Sequence, residues 1–325
     1  MSNLLFALES FRRHMDNGRW LFQLGMERQD YVSVGGEMPS PGVDSTDVAW
    51  AVERFKPRIV VFWPRYEWDP KEWSGPEVRP EHCYRNWECL FDHPEILRVC
   101  VFHDAGSARA QQKRWHEALR PHVYLTWYHA DSVLPFAPHI RREQLVRTYH
   151  ILDGDNTPPV RDRQKTCIIS GAHTPDVYPF RTRVLQLAKE SKLGPGVDAI
   201  THPGYKQAGT RSNAYVQKLG EYRVAVCTAS AYRFALRKIW EATAAGCRVI
   251  TNLPSYDLLP GIDDNLIRVS SDVSTGELKE VIQNAAATWD LRQQQAFAER
   301  AVELYDWRAE CARVAKELEM RVEAT

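Results

Sequence analysis

The sequence predicts an α/β protein made of two doubly wound, Rossmann-like halves facing across a cleft, closed by a long terminal helix. Short continuous apolar runs alternate with segments of helical periodicity, the pattern of parallel strands covered on both faces. The alternation stops at a polar, proline-bearing stretch, Asp153-Gly154-Asp155-Asn156-Thr157-Pro158-Pro159, and restarts at Thr166. The length of 325 residues suits about two domains at roughly 150 residues each.

Residues 3–24 carry apolar side chains at helical spacing (Leu4, Leu5, Leu8, Phe11, Trp20, Leu21, Leu24) and are expected to be helical, interrupted at Asp16-Asn17-Gly18. Residues 31–34 read as a strand ending at Gly35-Gly36. Residues 47–55 read as a helix stopped by Pro57. Residues 58–63 contain Ile59-Val60-Val61-Phe62-Trp63, a buried strand. The Trp- and Pro-rich residues 64–80 read as loop. Strands follow at 97–102 and 123–128, with a helix at 107–119 between them. After the linker at 153–165, strands are expected at 166–170, 197–200, 223–227, 248–251 and 266–269. Helices are expected at 179–191, 213–219, 236–245, 277–287 and 291–322. Gly246 suits the left-handed position after a helix end, and Ser274 with Glu277 reads as a capping box. The expected domains are 1–155, 156–300 and a terminal helix, 301–325, packing back toward the first.

Composition narrows the function. Lys plus Arg equals Asp plus Glu at 42 each, which argues against a generally basic nucleic-acid coat, though a local basic groove would survive that sum. No apolar run approaches the roughly 20 residues of a membrane span, and the order of apolar and basic residues at the start is wrong for a signal peptide. Seven scattered cysteines fit buried thiols in a reducing cytosol, so a cytoplasmic setting is expected.

In such sheets ligands bind beyond the carboxyl ends of strands. Three places meet that test: His103-Asp104, Ser170-Gly171-Ala172 and Thr228-Ala229-Ser230. The most informative segment, residues 223–252, crowds Arg233, Arg237 and Lys238 at a helix start. A helix N-terminus favours anions, so three cations there call for an anion or acidic partner, and a diphosphate fits. A solvated basic face is the equal alternative. Glu241, four residues after Arg237, is either a salt-bridge partner or a carboxylate for ribose hydroxyls.

The stretch Trp240-Glu241-Ala242-Thr243-Ala244-Ala245-Gly246, with the strand and Asn252 after it, resembles the carboxyl-terminal domain of group 1 glycosyltransferases of the GT-B fold. Tyr178-Pro179-Phe180-Arg181, His202-Pro203-Gly204-Tyr205 and Arg237 before Glu241-Ala242 look most like the spore-maturation-protein (CgeB-like) branch. Tyr305-Asp306-Trp307 is similar to the aromatic-Ser-Trp preceding the family's last helix, which usually crosses back to the first domain. The resemblance covers residues 166–317 well and the first half only in layout.

The resemblance implies a glycosyltransferase that uses a nucleotide sugar, a UDP-sugar by family habit. Glu241 would hold the donor ribose. Arg181 and Arg237 or Lys238 would hold the diphosphate, Gly171 and neighbouring Ser170 would close on phosphate, and Tyr205 and Arg233 would lie on the donor side. His103 would face the donor sugar. Neither metal nor cofactor is implied. The usual pattern is Glu-x7-Glu, and Arg233 stands where the first Glu would be; this leaves open whether the sugar is transferred with retention. His103 and Asp104 are the candidate catalytic pair, against the plainer readings of a strand-end histidine and a helix cap. Trp63, Tyr66 and Trp68 form a candidate acceptor platform, or a loop packed on the sheet. The acceptor is a glycan, a small molecule or a modified DNA base. The last would use a basic strip of Arg141, Arg142, Arg147, Arg161, Arg163 and Lys165. A non-catalytic nucleotide-sugar-binding protein is the remaining alternative. Asp153-Gly154-Asp155 imitates a metal-binding Asp-x-Asp, but turn chemistry explains it better.

Overall fold

Every strand pairing described in the chain is parallel, and the strands fall into two sheets. The computed structural model describes residues 3–6, 31–34, 47–62, 84–102, 109–201 and 211–323. Two units emerge. One holds the described residues up to Tyr149 together with those from Glu310 onward; the other is His150–Ala309.

The first unit carries strands β1 (Asn3–Phe6), β2 (Tyr31–Val34), β3 (Ile59–Phe62), β4 (Leu97–Val101), β5 (Val123–Thr126) and β6 (Leu145–Arg147), in the order β2-β1-β3-β4-β5-β6. β3 and β4 are buried at every position; β3 is an unbroken apolar run, and in β4 the one charged residue, Arg98, donates to the Leu90 carbonyl. Helix α1 (Val48–Phe55) starts where the Asp47 carboxylate accepts the Trp50 N–H (3.1 Å). It lays Val48, Ala51 and Val52 against Phe62, Tyr84 and Trp115. Trp115 belongs to α2 (Arg109–Leu119), and a single turn, α3 (Ala130–Val133), leads toward β6.

The expected helix over residues 3–24 is corrected at its start, where Asn3–Phe6 is β1, paired on one side with β2 and on the other with β3. A strand hydrogen-bonded on both sides gains tertiary pairing that local periodicity does not register. The rest of that stretch, and the expected loop at 64–80, lie outside the described residues.

The second unit carries β7 (Lys165–Gly171), β8 (Val197–Thr201), β9 (Tyr222–Val226), β10 (Arg248–Thr251) and β11 (Leu266–Arg268), in the order β11-β10-β9-β7-β8. Its helices are α4 (Pro179–Lys189), α5 (Arg211–Leu219), α6 (Lys238–Ala244), α7 (Thr275–Ala287) and α8 (Leu291–Tyr305). One sheet face, with Cys167, Ile169, Val224 and Val226, packs on Val184 of α4 and on Leu278 and Ile282 of α7. Ser274 Oγ accepts the Glu277 N–H (3.2 Å), which is the N-cap half of the expected capping box, and Gly246 adopts φ +79° after α6, as the sequence implies.

The expected single helical region 291–322 breaks at Asp306 (φ −54°, ψ 140°), and α9 (Trp307–Glu323) follows. The break is stitched from within the second unit. Leu152 N–H donates to Tyr305 O (2.7 Å), Trp307 N–H donates to Leu152 O (3.0 Å), and the Asp306 carboxylate accepts the Arg308 N–H (2.9 Å). From Glu310 onward, α9 belongs to the first unit. Glu310 accepts the Tyr149 N–H (2.7 Å), and Arg313 and Arg321 donate to the carbonyls of Arg147 and Glu143. The Glu310 carboxyl is pushed up by burial, against the pull of Arg313.

No disulfide joins the described cysteines. No helix among the described residues is long and apolar enough to cross a membrane.

Candidate functional site

The site grows from the carboxyl end of β7. Gly171 has φ +134°, a conformation that L side chains rarely adopt, and a Cβ there would stand 2.8 Å from Arg181 Nη1. The missing side chain therefore lets a guanidinium lie directly on the strand end. Arg181 arrives from the first turn of α4, which Pro179 opens. Its guanidinium carbon lies 3.9 Å from the Tyr178 ring centroid, and Nε donates to Thr228 Oγ1 (3.1 Å) after β9. The side chain is only 3% exposed. The Tyr-Pro-x-Arg spacing thus places one buried cation at the ends of two strands.

Helix α6 supplies the rest. Ile239, Trp240, Ala242 and Ala244 bury its length, and the Trp240 ring meets Tyr305 edge-on at 6.0 Å. Its far end is held by Arg163, which donates to the carbonyls of Ala245 and Tyr222 (2.8 Å to the latter), and by Asn265 Nδ2, which donates to Cys247 O (2.8 Å). Cations suit that end of a helix. At the near end Arg237 Nε stands 3.0 Å from Glu241 Oε1, so the i, i+4 pair exists, and Glu241 is buried. Lys238 points its ammonium at the Tyr215 ring, 3.9 Å from the centroid, and Tyr215 OH is hydrogen-bonded to Ser170 Oγ (2.6 Å). Burial pushes Lys238 down to about 8; Arg181 and Arg237 push the same way, while Glu241 opposes them. Burial also drives the Tyr215 hydroxyl well above its ordinary value, and Cys227 beneath the cluster up to about 12. Among the described residues Arg181, Arg237 and Lys238 stand with one carboxylate, Glu241, so that this group of four carries +2 when the lysine is protonated.

A cavity of ≈ 260 Å³ opens beside this cluster, at the ends of β9 and β10 and the start of α4. Pro179, Ala229, Ser230, Arg233, Asn252 and Ser271 line it. Its wall is tied together: Asn252 Oδ1 accepts the Ala229 N–H (2.7 Å), and Asn252 Nδ2 donates to Ser271 Oγ (2.8 Å). Arg233 sits on the rim in a left-handed conformation (φ 62°). Polar groups at strand ends around a concave space are the arrangement expected of a small-molecule site.

The second unit thus brings together Ser170, Gly171, Arg181, Arg237, Lys238 and Glu241, with Arg233 on the neighbouring cavity. Tyr205, His103, Asp104, Trp63, Tyr66 and Trp68 lie outside the described residues. The sequence did not single out Tyr215 or Thr228's bond to Arg181. Tyr215 reads there as one aromatic on a helix, and only the fold sets it under a lysine. The proposed basic strip is largely committed elsewhere. Arg163 is buried on carbonyls, Lys165 pairs with Glu221 (2.6 Å), Arg141 with Glu143 (3.1 Å) and Arg142 with Asp131. Asp153-Gly154-Asp155 is turn chemistry: Asn156 Nδ2 donates to Asp153 (2.6 Å) and Arg308 pairs with Asp155 (2.6 Å). Among the described residues no group of three or more His, Cys, Asp or Glu could hold a metal ion.

No protein-family profile matches the sequence. No curated protein matches it either. Solved structures do. The chain is similar to sucrose-phosphate synthase from Thermosynechococcus elongatus, with a TM-score of 0.55 and 12% identity over 100% of both chains. It is similar to Anabaena HepE in complex with UDP, with a TM-score of 0.56 and 11% identity over 98% of this chain and 100% of that one. A glycosyltransferase from Rickettsia africae gives a TM-score of 0.57 and 11% identity over 99% and 98%. At such identity the likeness defines the fold. It is the α/β fold of GT-B glycosyltransferases, with two parallel sheets and C-terminal helices.

Proposed function

We propose that this chain is a glycosyltransferase that moves a sugar from a nucleoside diphosphate sugar, with UDP as the nucleotide, to an acceptor hydroxyl. The observation that carries this reading is the net +2 cluster of Arg181, Arg237, Lys238 and Glu241 at the strand ends of the second unit. A nucleotide sugar carries about two negative charges on its diphosphate, and Arg and Lys side chains gathered at strand ends suit an anion of that charge. The likeness to HepE, which was solved with UDP and with UDP-glucose, supports the same nucleotide. Tyr178-Pro179-Phe180-Arg181 and Arg237 with Glu241-Ala242 support the CgeB-like branch.

In the reaction the bond between the sugar's anomeric carbon and the β-phosphate oxygen breaks. The acceptor oxygen bonds to that carbon, and its proton passes to a base. Arg181, Arg237 and Lys238 stabilise the charge growing on the departing diphosphate, the role a divalent cation fills elsewhere. Glu241 accepts from the ribose hydroxyls. His103 and Asp104 are the proposed base and its neighbour, and Trp63, Tyr66 and Trp68 the proposed acceptor platform. The test is calorimetry with UDP, followed by UDP release from a panel of UDP-sugars with and without acceptors. UDP binding in the micromolar range and turnover are expected. Binding without turnover would make the chain a binding protein, and absence of nucleotide binding would refute the assignment.

A further inference from the structure

The cluster contains a lysine whose partner is not a carboxylate. Glu241, the one carboxylate of the cluster among the described residues, pairs with Arg237 at 3.0 Å, and the Lys238 ammonium instead faces the Tyr215 ring at 3.9 Å. The ring is itself anchored, because its hydroxyl is hydrogen-bonded to Ser170 Oγ at the end of β7. A carboxylate would have pinned Lys238 in its charged form and cancelled that charge. An aromatic face attracts an ammonium without cancelling it, and it tolerates the neutral amine as well.

The surroundings make the proton exchangeable. Arg181 on α4 and Arg237, the residue that caps the start of α6, repel a third charge, Glu241 on α6 attracts it, and the Cys227 thiol just after β9 and Tyr215 on α5 complete the contacts. Burial then leaves the amine titrating near 8 rather than at its ordinary value.

We propose that Tyr215 is a positioning residue: its ring holds the Lys238 amine at the diphosphate position without neutralising it, so that donor binding is accompanied by uptake of a proton on Lys238. This rests on the donor reading above. An arriving diphosphate brings negative charge next to Lys238, which raises the lysine's proton affinity. By linkage, donor affinity then falls as pH rises through the value of the empty site, approaching tenfold per pH unit.

The test is calorimetric titration of UDP at pH 7.5, 8.25 and 9.0 in two buffers of unlike ionisation enthalpy. Wild type should take up a growing fraction of a proton across that range, with weakening affinity. Lys238→Arg should bind without that uptake, which also subtracts any titration of UDP itself. Tyr215→Leu should lose roughly five- to thirtyfold in affinity at pH 7.5, the scale of a lost cation–π contact. Tyr215→Phe, which keeps the ring, should stay within about threefold. If the leucine variant melts too low to be titrated, wild type against Lys238→Arg and Tyr215→Phe still decides. Identical proton uptake in wild type and Lys238→Arg, or wild-type affinity in a folded Tyr215→Leu, overturns the proposal while UDP binding stands. Failure of wild type to bind UDP at any of these pH values overturns the donor reading and this proposal with it.

Discussion

Glu241→Gln separates the two roles available to that carboxylate. It keeps the shape and removes the charge that faces Arg237 and draws on Lys238. Removing one partner of a buried pair costs about 3–5 kcal/mol. The Arg237 side chain keeps 16% of its surface in water, so the lower end, about 3 kcal/mol, is expected in urea denaturation. Ligand binding should split. Hydrogen bonds to a charged acceptor contribute about 1.5–3 kcal/mol each, so losing the ribose contact should weaken UDP roughly ten- to a hundredfold. Pyrophosphate has no ribose and meets a more positive cluster, so its affinity should hold or rise. Calorimetry with both ligands gives the answer. Equal losses for UDP and pyrophosphate, or no loss for either, would refute a ribose role for Glu241.

Gly171→Ala should destabilise the protein by about 1–3 kcal/mol, because it strains the backbone and drives a Cβ into Arg181; a denaturation curve and a UDP titration should worsen together. Arg163→Ala takes the guanidinium donor from the Ala245 carbonyl, at about 1–3 kcal/mol, and leaves the Tyr222 carbonyl to the weaker Cys247 thiol. Urea denaturation should show that loss, with UDP affinity unchanged in the folded fraction. For pH, a base held below its ordinary value contributes stability that is present above its unfolded value and is lost as pH falls through the folded one. Lys238, held down to about 8, should therefore weaken the empty protein near neutrality. Lys238→Met should melt higher than wild type at pH 7, with the difference shrinking as pH rises from 8 toward 10. With Arg163 buried and Lys165, Arg141 and Arg142 paired, duplex and single-stranded DNA should show no salt-sensitive binding across a salt series.

Much of this was legible in the sequence because it rests on local rules. Unbroken apolar runs such as Ile59–Phe62 announce strands buried on both faces, Gly246 announces a helix end, and Ser274 announces a helix start. Tyr178-Pro179-Phe180-Arg181 and Arg237 with Glu241 announced the candidate site, since helical spacing alone puts residues four apart on one face. Whether Glu241 is paired could not be read from spacing, because an i, i+4 pair forms only if no other partner competes.

Nonlocal contacts decided the rest. Asn3–Phe6 is a strand because β2 and β3 pair with it, in spite of helical periodicity. The helical region after Leu291 breaks at Asp306 because Leu152, distant in sequence, bonds across the break. Tyr215 and Ser170 are 45 residues apart, yet share a hydrogen bond at 2.6 Å. The sequence by itself determined the parallel α/β class and the kinds of charge gathered in the second unit, since both follow from patterns a few residues long. The tertiary structure alone decided which cation meets the carboxylate and which meets the ring, because burial, neighbouring charge and strand order exist only once distant segments are packed together.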